Sequence, residues 1–158
     1  MDRSDVHQYA PVMKFLAPFT DQTYALLRIV AGILFTFHGL QKIFGLLAEH
    51  ESPEAGSLLW IGGILELVCG VAIAIGLRAS FAAFIASGMM AVAYFKFHWK
   101  FQFDANFFPI VNKGELAVLY CFLFLFIACR GSGPWSVDHP QGQSSPASLG
   151  SAVRSGRA

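Results

Sequence analysis

One stretch limits every fold open to this chain: Thr23 to Leu47, TYALLRIVAGILFTFHGLQKIFGLL. As a helix it is long enough to cross a bilayer, which takes about 20 residues. Yet it carries Arg28, His38, Gln41 and Lys42. Charge in hydrocarbon is expensive, so such side chains face a helix interior, a water pocket or the lipid headgroups. The rest of the chain must supply helices that give them a polar place. Composition agrees: of 158 residues 55% are hydrophobic and 13% charged, against about 25% charged in a soluble domain. The 16 phenylalanines suit lipid-facing and helix-packing surfaces. These features predict an integral membrane protein whose first partner is the lipid bilayer. A net charge of +1 with no dense basic patch speaks against nucleic acid.

Residues 1–20 are polar and then mixed, and Pro11 and Pro18 break any long helix. Two readings stand: a membrane-surface segment using Val12, Phe15, Leu16 and Phe19 with Lys14 toward the headgroups, or a disordered terminus. Thr20 or Asp21 predicts the N-cap of the first span. Arg28 has a stem long enough to carry its guanidinium to the near interface; contact with an anionic ligand or an interface is the other reading. The run starts late, contains Arg28 and lacks an A-x-A-like site, so no cleavable signal peptide is expected. Ser52-Pro53 predicts the start of a second helix, which runs to about Leu77. Gly62, Glu66 and Gly70 recur on one of its faces, where small residues admit a neighbouring helix.

A third span covers about Ala79 to His98, with Ser87, Ala91, Tyr94 and His98 in one stripe. Its far end mixes aromatics and lysines, as at a water interface. Phe101 to Val111 is an apolar loop, either a lid or a plain interfacial connection. Asn112 and Glu115 match a capping box for a fourth span from about Lys113 to Arg130. The Ser-, Gly-, Gln- and Pro-rich end predicts disorder. The expected organisation is an N-terminal segment 1–20, a membrane domain 21–138 and a tail 139–158. The fold class is all-α, a four-helix transmembrane bundle. Arg3, Lys14, Arg78, Arg130, Arg154 and Arg157 fall on the side of both termini; Lys100, Lys113 and an acidic loop fall on the other. Lysine and arginine excess marks the cytoplasm, so both termini are expected there.

Glu66 sits mid-span, and a lone carboxylate there costs several kcal/mol unless it pairs or takes up a proton. At about 1.5 Å per residue, His38 and Lys42 of the first span reach a similar depth, and Tyr94, His98 and Tyr120 lie somewhat nearer the same surface. A Glu66 partnership with His38 or Lys42 is expected. The six residues then either line one polar pocket able to pass a proton or bind a polar head, or act as structural glue that fixes helix register. Glu115 is read as a capping residue or, alternatively, a ligand or interface contact. No metal site is expected, because His38 and His98 lie on different helices without an acid cluster. Cys69, Cys121 and Cys129 form no CxxC; they read as small buried hydrophobes, with a redox dithiol as the other reading.

LLRIVAGILFTFHGLQKIFG resembles the first helix of the DoxX family, with its arginine and His-Gly-x-x-Lys. IGGILELVCGVAIAIGLRASFAA is similar to the family's second helix with its buried acid. NKGELAVLYCFLFLFIACRGSGPWSVD is similar to the last helix, with Gly131, Gly133, Ser136 and Asp138 on a Gly-x-Gly-x-x-Ser-x-Asp ending. The likeness spans about Tyr24 to Asp138. It implies a four-helix bacterial inner-membrane protein with redox associations, such as a thiosulfate:quinone oxidoreductase subunit or complexes of thiol and oxidative-stress defence. The chain has no flavin, haem or iron–sulfur motif, so any electron traffic needs a redox partner protein or a bound quinone. No residue is assigned as catalytic, and enzyme status stays open. The leading expectation is a membrane subunit of a redox system. The alternative is a non-enzymatic anchor or scaffold that contacts a partner through Gly131 to Asp138 and the basic tail. Solute or proton transport, which would need a homo-oligomer, comes last.

Overall fold

A computed structural model describes residues 13, 15–46 and 52–138. The expected disorder of 139–158, most of the segment 1–20 and the acidic residues Glu49 and Glu51 lie outside the described residues. Among the described residues the chain is all-helical, without strands. The long helices are α1 (Thr20–Phe44), α2 (Leu58–Ile75), α3 (Ala79–Ala93) and α5 (Glu115–Arg130); α4 (Pro109–Asn112) is a single turn. α3 continues into a π-helical turn, Tyr94–Trp99, closed by the Lys100 N–H donating to the Phe95 carbonyl at 3.0 Å.

Among the described residues three helical stretches are long and apolar enough to cross a membrane: Ala17–Phe44, Leu58–Ile75 and Ala79–Trp99. α5 has only 16 residues, or about 24 Å at 1.5 Å each, short of a hydrocarbon core of about 30 Å.

The helix starts differ from the sequence expectation. α2 begins at Leu58, where Ser57, not Ser52, accepts the Trp60 N–H at 3.2 Å. Thr20 caps nothing at α1: its hydroxyl donates back to the Ala17 carbonyl, and Asp21 pairs with Arg130. Asn112 does not cap α5. Its amide closes a tighter turn, accepting from Gly114 N–H at 2.8 Å and donating to the Asn106 carbonyl at 2.7 Å. Gly114 takes the N-cap position of α5 with no side-chain bond.

α1 packs antiparallel along α2, and α3 along α5; α2 meets α3 over a smaller area. The α1–α2 contact is backbone on backbone. A Cβ on Gly39 would lie 2.5 Å from the Leu67 nitrogen, and one on Gly32 2.5 Å from the Ala74 nitrogen. On α2 the matching pair is Gly63 and Gly70, against Lys42 and Thr36. The expected Gly62–Glu66–Gly70 stripe therefore drifts. Eight helical residues turn about 80° past two full turns, whereas seven fall only about 20° short of them, so the seven-residue pair keeps its face to α1.

The core between the pairs holds Phe35, Ile73, Phe124 and Ile127, with Ala83 and Ala86 letting α3 come close. Ser87 donates to the Cys121 carbonyl at 2.8 Å and ties α3 to α5.

Candidate functional site

A cavity of about 320 Å³ lies between the helix pairs, at the end where α1 finishes and α2 begins. α1 contributes Phe35, His38 and Lys42; α2 contributes Gly62, Leu65 and Glu66. Met89, Met90 and Ala93 of α3, His98 of the π turn, and Lys113 and Tyr120 beside and within α5 complete the wall. Lys42 and Glu66 come together because Gly39 and Gly63 let α1 and α2 touch one turn away. Their ion pair is 2.5 Å, with the Glu66 side chain 4% exposed and that of Lys42 32%.

Only Glu66 Oε1 meets the ammonium; Oε2 is buried with no hydrogen-bond partner among the described residues. Leaving a buried acceptor unmade costs about 1–3 kcal/mol. A buried ion pair is itself weak evidence for stability, since desolvation offsets the attraction. The arrangement leaves one buried acceptor able to take one more donor.

Around it, the His38 ring meets the Tyr120 ring edge-on at 6.3 Å, and Tyr120 stacks on Phe124 at 5.2 Å. His98 Nδ1 lies 3.1 Å from the Asn112 carbonyl. A carbonyl only accepts, so Nδ1 is the donor in this contact.

Of the six residues grouped from the sequence, His38, Lys42, Glu66, His98 and Tyr120 line this cavity, and Tyr94 does not. Tyr94 packs against Gly114, where a Cβ would lie 2.7 Å from its ring, and its hydroxyl donates to the Phe107 carbonyl at 3.3 Å. The physical reason is rotation: Ser87 and Tyr94 share one α-helical stripe, and that stripe faces α5, with Ser87 on the Cys121 carbonyl and Tyr94 against Gly114, so it misses the cavity. Glu115 is exposed in the first turn of α5, outside the cavity. Lys113 and Gly62, which the sequence reading did not group with the pocket, also line it; Lys113 is exposed as well, at the turn between α4 and α5.

Arg28 sits at the opposite end of α1, 0% exposed. Its guanidinium goes inward rather than to an interface. Nη1 donates to the carbonyls of Ile73 and Ala74 at 2.6 and 2.7 Å, and Nη2 to those of Trp135 and Pro134 at 2.8 and 3.3 Å. It thereby adds a donor to carbonyls in the last turn of α2, where Ile73 also accepts from Gly76 N–H at 3.2 Å, and ties the Gly131–Asp138 segment to the helices. Tyr24 donates to the Gly131 carbonyl, and Asp138 accepts from Arg78 N–H at 2.7 Å and Ser132 hydroxyl at 2.6 Å. A side chain at Gly76 would meet Ser136 Cβ at 2.2 Å, and its φ of +72° also favours glycine. The polar groups of this ending serve the chain's own helices.

Among the described residues no cluster of His, Cys, Asp or Glu is arranged to hold a metal ion. The model of the DoxX family matches residues 23–99. An uncharacterized protein of Haemophilus influenzae is 36% identical over 130 residues, covering 80% of this chain and 96% of that one. No solved structure matches.

Proposed function

Because the chain belongs to the DoxX family of bacterial integral membrane proteins, we propose that it is a multi-pass inner-membrane subunit of a redox system whose cavity holds a quinone or a similar small molecule. The observation that carries this is the Glu66 carboxylate, one oxygen on Lys42 and the other buried without a partner among the described residues, in a largely apolar cavity that His38, His98, Lys113 and Tyr120 also line. The residues fit such a group. Lys42, through N–H bonds beyond the one it gives Glu66, and the Tyr120 hydroxyl are donors for carbonyl oxygens; Glu66 Oε2 is an acceptor for a hydroxyl; Met89, Met90 and Phe35 suit a ring.

When bound, a quinone supplies two-electron, two-proton chemistry. The chain's own residues orient the head, keep water away and offer proton-holding atoms at Glu66 and His38. A redox partner protein delivers or takes the electrons, since the chain has no recognisable redox centre of its own.

In this reading all four long helices cross the membrane. α5 spans through local thinning of the bilayer, with Arg130 and Lys113 at its two ends reaching the headgroups. The arginine-rich end, with Arg78 and Arg130, is cytoplasmic. The test is mass spectrometry of small molecules copurifying in mild detergent, with respiratory and thiosulfate-dependent growth of a Glu66→Gln strain. Bound quinone in the wild type, its loss in the variant and slowed growth support the reading. Absence of quinone from the wild type together with unchanged growth refutes it.

A further inference from the structure

Five glycines lie inside α1 and α2, and four are explained by packing. A Cβ at Gly32, Gly39, Gly63 or Gly70 would come within 2.8 Å of the opposing helix. Gly62 is different: a Cβ there meets no heavy atom within 4 Å, and the residue lines the cavity. A glycine weakens a helix, and no neighbour demands this one. What its missing side chain provides is an opening.

That opening faces the bilayer. Leu58 and Ile61 of α2 and Val92 and Phe97 of α3 and its π turn line the cavity and are also exposed on the outside. They lie within two of the stretches able to cross a membrane. The α1–α5 side is shut by Phe35 against Tyr120 and Phe124, at ring separations of 5.6 and 4.6 Å. The mouth is therefore the seam between α2 and α3, and its edge is apolar.

We infer that the cavity takes a membrane-dissolved amphiphile that enters sideways between α2 and α3, past Gly62. Its head carries a hydroxyl donor for Glu66 Oε2 beside an acceptor for Lys42, and its apolar body lies in the seam. Gly62 sets specificity by leaving the mouth wide enough for that body. This rests on the cavity being a ligand site, as proposed above, and not on the ligand being redox-active.

The test uses the full chain in phosphatidylcholine nanodiscs and equilibrium binding of radiolabelled 4-decylresorcinol. This probe is a tailed aromatic 1,3-diol with the required donors, and it cannot be oxidised to a simple quinone. Wild type binds it saturably, and binds tail-free resorcinol far more weakly. Gly62→Leu fills the mouth and weakens binding about tenfold or more; Gly62→Ala weakens it less, in the same direction. Gly88→Leu, also in open space but on an exposed part of α3 away from the cavity, leaves binding unchanged. Circular dichroism confirms that each variant is folded. No saturable binding to the wild type, equal binding by Gly62→Leu, or equal binding of tail-free resorcinol overturns the inference. Gly62-dependent probe binding together with normal growth of the Glu66→Gln strain sinks the redox reading and leaves the lateral entry standing.

Discussion

The Lys42–Glu66 pair is asymmetric, and that asymmetry sets a measurable order of stabilities. The Glu66 side chain is 4% exposed and that of Lys42 32%. Lys42→Met keeps the stem that packs on Gly63 but strands a buried carboxylate. Removing one partner of a buried pair costs about 3–5 kcal/mol. Glu66→Leu strands the ammonium instead, and its flexible stem, on the last turn of α1 and already 32% exposed, lets it swing toward water at that end of the helix. The cost there falls to about 1 kcal/mol, the range of exposed pairs. The double variant leaves no unpaired charge and stays within about 1 kcal/mol of the wild type, since apolar replacement of a buried pair is often neutral. The coupling between the two sites is then about 3–7 kcal/mol, the double variant being far less destabilised than the two single changes together. Unfolding with increasing dodecyl sulfate in mixed micelles, followed by circular dichroism, gives all four stabilities. A Lys42→Met variant no less stable than Glu66→Leu would refute the reasoning. So would a double variant as unstable as Lys42→Met alone.

Three other outcomes are expected. Gly39→Ala drives a methyl to 2.5 Å from the Leu67 backbone and costs about 1–3 kcal/mol, whereas Gly62→Ala meets nothing and is neutral or stabilising by up to about 1 kcal/mol; the same micelle unfolding separates them. Arg28→Lys keeps the charge but cannot fork between the α2 carbonyls and Trp135, so limited proteolysis should cut within Gly131–Asp138 faster than in the wild type. A reporter fused after Ala158 should be active only when it is one that works in the cytoplasm; activity of a reporter that works only outside reverses the assigned orientation.

The family resemblance, the all-helical class and the membrane character are legible in the residues themselves. Long apolar runs have few other destinations, and a carboxylate among them must find company. The pairing of Glu66 with Lys42 was one of two partners that depth alone allowed. Helical depth can be counted from sequence, but rotation about the helix axis cannot, because small errors in turn angle accumulate. For that reason Gly63 rather than Gly62 faces α1, and Tyr94 turns with Ser87 toward α5 instead of lining the cavity.

The fate of Arg28 shows the same division. Sequence placed a guanidinium near one end of a span, where water is within its reach. Only the fold shows that the last turn of α2 and the Trp135 region present carbonyls to it from residues 45 to 107 positions away. Composition and periodicity thus decide what a chain must bury and roughly how deep, because burial depends on residue type and helix length. Which buried groups meet, and where the seam between helices is left open, depends on rotation and close approach, and those are settled when the helices pack.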